Sequence, residues 1–221
     1  MSTRAPNRPT RPRALGLAED VLQGRAPGRA WWLAVACGMG YGVVMGSFGG
    51  RGLQSVYSAL KVPLLLAATV ALSLPSFFIV NTLLGLRDDF ARAVRAVVAA
   101  QAALAVVLVS LAPLTAFWYA SSAVYNSAIL FNALMFGVAS VAAQAPLRVA
   151  YRPLIARDRK HLAMVRVWVV VYAFVGVQMG WVLRPFIGDP VGPVEFFRSG
   201  AWDNAYVVVA GMVLRATGLG R

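Results

Sequence analysis

The sequence predicts an all-α, polytopic membrane helix bundle, and three observations lead to this fold class. Hydrophobic residues make up 59% of the 221-residue chain and charged residues only 13%, against roughly 45–50% and about 25% in soluble domains. The apolar residues form five long runs, and nearly all arginines lie outside these runs. A chain of this composition is too apolar for an ordinary soluble fold.

Five runs approach the roughly 20 apolar residues that a helix needs to cross a bilayer. They are Ala30–Phe48, Val62–Leu86, Ala96–Trp118, Ala123–Pro146 and Ala163–Leu183. We therefore expect a five-span bundle over residues 30–186, preceded by a basic Arg/Pro-rich cytoplasmic arm (1–29) and followed by an outer loop and C-terminal segment (187–221). The last apolar run, Ala205–Leu214, has about half the length of a span. It predicts a short interfacial helix, with a sixth span as the alternative.

The formal net charge of +13 comes from 21 basic and 8 acidic residues. In a soluble protein this excess would suggest nucleic acid, but here it falls in segments that connect spans, as the positive-inside rule requires of cytoplasmic loops. A cytoplasmic N-terminus places the arm, Arg87–Arg95 and Arg148–Arg166 on one side of the membrane. We expect this basic face to meet anionic lipid headgroups, and we expect no nucleic-acid partner.

The first span carries glycine at every fourth position, at Gly38, Gly42, Gly46 and Gly50. Residues spaced by four lie along one side of a helix, and small residues there let a second helix approach closely in a bilayer. The same spacing places Gly176 and Gly180 on one stripe of the fifth span. We interpret these six glycines as helix-packing positions.

In the second span, the Lys61-Val62-Pro63 triplet predicts a helix start, because proline is tolerated in the first turn. In the turn after that span, Asp88 and Arg92 stand four residues apart and can form a weak helical ion pair. Among the amides that fall within spans, we select Asn81, Asn132 and Gln178 as candidate polar sites. Because an unpaired amide in hydrocarbon is costly, we expect them to bond between helices.

The fifth span leads into a charged, proline-broken loop. Pro185 predicts the helix end, since the residue before a proline is disfavoured in the α region. The loop carries four charged residues, Arg184, Asp189, Glu195 and Arg198. We expect Arg184 to face protein and to pair with one of the two acids or with carbonyls at the helix end.

Reactive side chains are scarce. Cys37 is the only cysteine and His161 the only histidine, so one chain cannot assemble a multi-ligand thiolate or imidazole metal site. We expect Cys37 in the packed first span and His161 in a solvated basic loop. No cofactor, no metal and no catalytic residue is predicted.

Several short segments carry a resemblance to a family of uncharacterised bacterial polytopic membrane proteins. They are Lys61-Val62-Pro63, Leu74-Pro75-Ser76, Ala112-Pro113-Leu114-Thr115, Gly180–Pro190 and Glu195-Phe196-Phe197-Arg198. The arm and the glycine-rich first span depart from the family pattern. The resemblance implies the bacterial cytoplasmic (inner) membrane and carries no activity. The five-span architecture is also similar, more distantly, to Yip1-type membrane proteins.

Three classes of function are compatible with these features. A non-catalytic membrane subunit, scaffold or assembly factor, with protein partners or a homo-oligomer, fits the packing faces and the amides best. A small-solute or ion channel or transporter is the alternative, because Pro75 and the amides suit a cavity, although no acid or base is expected in mid-membrane. A membrane enzyme is the second alternative, resting only on the loop carboxylates.

Overall fold

The computed structural model describes residues 26–189, 192–198 and 206–207. Within these residues the regular structure is helical. The six longer helices are α1 (Pro27–Gly46), α2 (Gly52–Leu83), α3 (Phe90–Ser121), α4 (Tyr125–Ala142), α5 (Gln144–Arg157) and α6 (Lys160–Val182). Short helical turns at Phe48–Gly50 and Arg87–Asp89 lead into α2 and α3.

Helices α1, α2 and α3 alternate in direction, α4 and α5 run the same way as one segment (Tyr125–Arg157), and α6 returns, so the bundle has two ends. We call the end with residues 47–51, 122–124, 183–189 and 192–198 the loop end. The other end, with residues 84–92 and 157–160, we call the basic end. Contacts between Gly46 and Gln54 at the loop end and between Asp89 and Arg157 at the basic end confirm this alternation.

Helix α3 forms the centre of the bundle. Its residues from Ala99 to Ala105 are all buried, and five of these seven are alanine. Small side chains around the whole circumference let α1, α4 and α5 pack against α3 from different sides. Two apolar clusters result, one around Tyr41 and Leu108 toward the loop end and one around Phe77 and Trp168 toward the basic end.

Four segments are long and apolar enough to cross a membrane: Gly52–Leu83, Arg87–Ser121, Tyr125–Arg157 and Lys160–Val182. They coincide with the second to fifth predicted spans. The first predicted span forms the 20-residue helix α1, which is not among these four. The prediction of a helical, multi-pass membrane protein is therefore confirmed in this coarser form.

Several predicted boundaries are wrong. Helix α2 begins at Gly52, so Lys61 and Pro63 lie inside it and do not mark its start. Gln144–Arg157, expected as the end of a span and a basic loop, forms helix α5, with Pro146 tolerated in its first turn. The arm is shorter than predicted, because α1 begins at Pro27.

The rest of the arm and most of the predicted C-terminal helix lie outside the described residues. Of that C-terminal segment, the structure describes Tyr206 and Val207. The Tyr206 ring stacks on Phe174 of α6 at 4.4 Å between centroids, and its hydroxyl donates to the Phe174 carbonyl at 2.6 Å.

Candidate functional site

The glycine stripe of α1 brings its backbone onto α2. A Cβ atom added at Gly42 would lie 2.3 Å from the Ser58 carbonyl oxygen, and one at Gly46 would lie 2.6 Å from that of Gln54. Gly38 leaves ordinary contact distance to Pro63. The structure thus places these three glycines at a helix contact. Gly50 was predicted wrongly, because α1 ends at Gly46 and Gly50 lies in the following turn with a φ of 72°.

Asn132 joins α4 to α1 and α3 near the loop end. Its Oδ1 accepts from the Tyr41 hydroxyl at 2.8 Å, and its Nδ2 donates to the Tyr119 hydroxyl at 2.6 Å and to the Ala128 carbonyl at 2.8 Å. Tyr119 in turn donates to the Met45 carbonyl at 3.0 Å. The expectation that Asn132 bonds to neighbouring helices is confirmed.

The other two amides behave differently. Asn81 is buried but donates locally, from Nδ2 to the Leu86 carbonyl at 3.2 Å, so it closes the turn after α2 instead of joining two helices. Gln178 lies half-buried on α6. A fourth amide, Gln101 on α3, was not selected as a site residue, yet its Oε1 accepts from the Tyr172 hydroxyl of α6 at 2.7 Å.

Three buried side chains on one face of α2 hold the start of the outer loop. Gln54 Nε2 donates to the carbonyls of Pro185 and Phe186, at 3.1 Å each. The Ser58 hydroxyl also donates to the Phe186 carbonyl, and Lys61 Nζ donates to that of Pro185 at 2.7 Å. Because the acceptors are main-chain atoms, these bonds fix the path of the loop directly.

Two further donors secure the same loop from other elements. Arg51, just before α2, donates to the Gly192 carbonyl. The Tyr125 hydroxyl, at the start of α4, donates to the Ile187 carbonyl at 3.3 Å. Gly188 packs closely on Gln54, since an added Cβ would lie 3.0 Å from its Cγ. The loop is therefore bound to the bundle along most of its described length.

Lys61 is fully buried at this attachment. Its ammonium lies 4.8 Å from the centroid of the Phe196 ring and 6.0 Å from that of Phe186. Aromatic faces stabilise a cation through the ring quadrupole, so the loop supplies both a carbonyl acceptor and aromatic faces. Tyr57 packs edge-on against Phe196 at 5.3 Å and completes the enclosure.

The four predicted loop charges lie at this end with different exposures. Arg184 is half-buried, and its guanidinium lies 3.4 Å from the centroid of the Trp181 ring. Its carbonyl accepts from the Arg198 amide at 3.3 Å, which brings the two ends of the loop together. Asp189, Glu195 and Arg198 have exposed side chains.

A groove of about 740 Å³ lies between α4 and α6, which do not pack closely on each other. Its floor is formed by α2 and α3, and the loop residues Pro185 and Phe186 close it at the loop end. Gly176 and Gly180 line the groove. A Cβ at Gly176 would make ordinary contact with Thr69 of α2, but one at Gly180 would meet open space. Among the described residues no helix packs against Gly180, so helix packing at Gly180 stays a prediction.

The basic end contains a second polar cluster, centred on Asp89. Arg92 and Arg157 donate to Asp89 Oδ1 at 2.9 and 3.1 Å, and His161 Nε2 lies 3.3 Å from Oδ2. Since a carboxylate only accepts, His161 carries its proton on Nε2. The expected Asp88–Arg92 pair is replaced by Asp89–Arg92, and His161 is fully buried instead of solvated.

The sequence contains a signal for the α2 residues that hold the loop, but none for the pairing of His161 with Asp89. His161 and Asp89 are distant in sequence, so only the packing of α6 on the α2–α3 turn reveals their pairing. Gln54, Ser58 and Lys61 are spaced by four and three, which places them on one helix face. A predicted helix start at Lys61 excludes Gln54 and Ser58 from the helix, so the spacing did not lead to a prediction of this face.

The side chains of the two clusters hold the loop to α2 at one end and join α3, α5 and α6 at the other. Within the described ranges, no group of three or more histidine, cysteine, aspartate or glutamate residues is placed to hold a metal ion. The hydrogen bonds of the two clusters go to main-chain carbonyls or to other members of the cluster, while Gln54 Oε1 and His161 Nδ1 are buried without a hydrogen-bond partner among the described residues. No family model, curated protein or solved structure matches this chain.

Proposed function

We propose that the chain is a non-catalytic integral membrane subunit, a scaffold or assembly factor that binds a partner protein at the loop end of the bundle. The observation that carries this proposal is the attachment of Pro185, Phe186 and Gly192 to the bundle through Gln54, Ser58 and Lys61 of α2 and through Arg51 just before it. A loop whose backbone is fixed in advance loses little conformational entropy when a partner binds to its outer face.

The outer face of this loop suits recognition. Glu195, Phe197 and Arg198 are exposed next to one another, and Phe197 retains 44% of its accessible surface. An exposed aromatic side chain between an acid and a base combines apolar contact with charge selectivity, a composition typical of protein interfaces. In this proposal the helix bundle anchors the loop in the membrane and holds its outer face in position.

The finer topology also belongs to the proposal. We place the basic end in the cytoplasm of a bacterium, at its inner membrane, with the N-terminus inside and α1 as the first span. The contact of Tyr206 with Phe174 lies two turns before the end of α6, about 12 Å along its axis. That depth favours the six-span alternative over an interfacial helix. Protection of a Tyr206→Cys variant from an impermeant maleimide would support insertion, and rapid labelling would support the interfacial helix.

A small-solute or ion path is the second candidate, and the groove is the observation that favours it. Polar residues for such a path lie beside the groove, but Gln101 is bonded to Tyr172 and Asn132 to Tyr41 and Tyr119. Groups engaged in this way offer few free ligands to a hydrated solute. This weighs toward the subunit function.

The test is purification of the tagged chain from its native membranes in mild detergent. We expect a protein partner in stoichiometric amount, and we expect the Phe197→Ala and Glu195→Ala variants to lose it. Val124→Ala is the matched control, because Val124 is an exposed apolar residue at the same end but outside the loop. A partner retained equally by all variants, or a chain that purifies only with itself, would contradict the proposal.

A further inference from the structure

The groove between α4 and α6 has the dimensions of a binding site for an amphiphile. Its volume of about 740 Å³ falls in the range of roughly 300–1,000 Å³ that is usual for ligand sites. Along α6 its lining extends from Trp168 to Trp181, which corresponds to about 20 Å of helix. One leaflet contributes about half of the roughly 30 Å hydrocarbon layer, so an acyl chain can lie along the groove.

The groove is open toward the surrounding bilayer. Ile129 on its α4 side and Val177 on its α6 side both line it, yet they retain 42% and 57% of their accessible surface. Side chains that line a groove and are also exposed mark its open side. In a membrane, that side faces lipid, so the bilayer itself is the nearest source of an occupant.

The wall of the groove suits hydrocarbon. Leu66, Leu104, Phe136, Ala173 and Val177 are among its lining residues. The Tyr172 hydroxyl, which also belongs to the lining, is engaged with Gln101 at 2.7 Å. Asn132 and Gln144 of the lining also bond within the protein, and polar groups paired in this way do not penalise an apolar chain.

Charge marks only one end of the groove. Among the described residues that line it, the ionisable side chains that are charged at neutral pH are Arg184 and Arg198, both at the loop end. Asp189 lies near Tyr125 at the same end but is not part of the lining. Guanidinium groups match the geometry of phosphate oxygens, so this end is complementary to an anionic headgroup.

We infer that the groove binds one anionic phospholipid, with an acyl chain between α4 and α6 and the phosphate headgroup at Arg198. Arg184 adds positive charge beside it while lying over Trp181. This site is separate from the proposed partner-binding face at Glu195 and Phe197. The two proposals share Arg198, so Phe197→Ala on the partner-binding face and Gly137→Phe in the groove are the variants that tell them apart.

The experiment is native mass spectrometry of the delipidated full-length protein in neutral detergent, titrated with palmitoyl-oleoyl phosphatidylglycerol or with the phosphatidylcholine of the same chains. We expect the first lipid adduct to form with phosphatidylglycerol at a concentration about tenfold lower than with phosphatidylcholine, which is the effect of one charge-assisted bond. Arg198→Gln should remove this preference. Arg95→Gln is the matched control, since Arg95 is exposed at the basic end.

A second variant tests the groove itself. A Cβ added at Gly137, which lines the groove, meets no described atom within 4 Å, so we expect Gly137→Phe to extend into the cavity and fill it. We expect its affinity for phosphatidylglycerol to fall at least about tenfold. Ile129→Trp, at an exposed lining position, fills the same space and serves if Gly137→Phe does not fold.

Three results would overturn the inference. One is equal affinity of the wild-type protein for the two lipids. The second is a preference that persists in Arg198→Gln, and the third is unchanged lipid binding in both groove-filling variants. Loss of the protein partner in Phe197→Ala with lipid selectivity intact would show that the two sites are independent, and it would leave the lipid site supported.

Discussion

The two ends of the bundle join their helices with opposite chemistry. At the basic end one buried carboxylate, Asp89, accepts from the side chains of Arg92, Arg157 and His161. At the loop end, by contrast, side chains of α2 donate to main-chain carbonyls of the loop. The first arrangement depends on charge, whereas the second depends on backbone position.

This difference suggests a division of roles, in which the basic end stabilises the fold and the loop end carries the proposed partner-binding face. A cluster of charges is weakened when any partner changes, so the residues around Asp89 are committed to holding α3, α5 and α6 together. A loop that is held through its carbonyls depends less on the chemistry of its exposed side chains, so in the proposed function Glu195 and Phe197 form the face that meets a partner. The loop end can therefore carry specificity without endangering the fold.

The largest loss of stability is expected at the contact of α1 with α2, which depends on close backbone packing and not on the Asp89 cluster or the bonds to the loop. Gly42→Ala places a methyl group 2.3 Å from the Ser58 carbonyl oxygen, and because backbone must move, we expect a loss of about 3 kcal/mol in unfolding free energy. Folded yield and thermal unfolding in detergent measure it.

The control for that substitution is Gly52→Ala, since an added Cβ at Gly52 meets nothing within 4 Å. It should behave as wild type. Equal stability of the Gly42 and Gly52 variants would show that α1 does not lie against α2 as described.

At the basic end, Asp89→Asn should cost about 2 kcal/mol, because it removes the charge that pairs with two arginines and His161 inside a buried site. The neighbouring Asp88 is exposed, so Asp88→Asn should change stability by less than about 0.5 kcal/mol. Chemical unfolding of the two variants side by side gives the measurement. A larger loss for Asp88→Asn would reverse the assignment.

At the loop end, Gln54→Ala should release the loop without unfolding the bundle. Two bonds to carbonyls are lost, each worth about 1 kcal/mol. In a background without Cys37, a cysteine at the buried Ile187 should then react with a maleimide about tenfold faster.

Ser55→Ala is the control for the loop measurement, because the Ser55 hydroxyl bonds to the Arg51 carbonyl within its own helix region and not to the loop. Its labelling rate should equal that of the parent. If Gln54→Ala also leaves the rate unchanged, the bonds to Pro185 and Phe186 do not hold the loop.

The smallest effect is expected for Arg157→Gln. Its side chain is 63% exposed although it reaches Asp89, and exposed ion pairs contribute about 0–1 kcal/mol. We expect a loss below about 1 kcal/mol that shrinks further at high salt. A loss as large as that of Asp89→Asn, independent of salt, would mean that the cluster is more enclosed than its exposure indicates.

The sequence predicts the helices better than their contacts. Apolar runs located α2, α3, α4 and α6, because lipid as solvent demands about 20 apolar residues per span. The glycine spacing located the α1–α2 contact at Gly42 and Gly46. These features follow from local pattern, and the structure contains them.

The polar sites were harder to predict because their partners are distant along the chain. His161 was assigned to solvent since its neighbours in sequence are basic, but the fold buries it against Asp89. Lys61 was read as a helix start because Pro63 follows it, although α2 continues about 15 Å further toward its N-terminus. The groove arises from the spacing of α4 and α6, which no local pattern specifies.

The bundle is expected to cross a membrane with its loop end and its basic end on opposite sides. Single cysteines at the exposed positions Asp88 and Glu195, in a background without Cys37, can be labelled with an impermeant maleimide in sealed right-side-out and inverted vesicles. We predict that Glu195→Cys reacts only in right-side-out vesicles and Asp88→Cys only in inverted ones. Reaction of both in the same vesicles would contradict the alternation of the helices and the placement of the loop end outside.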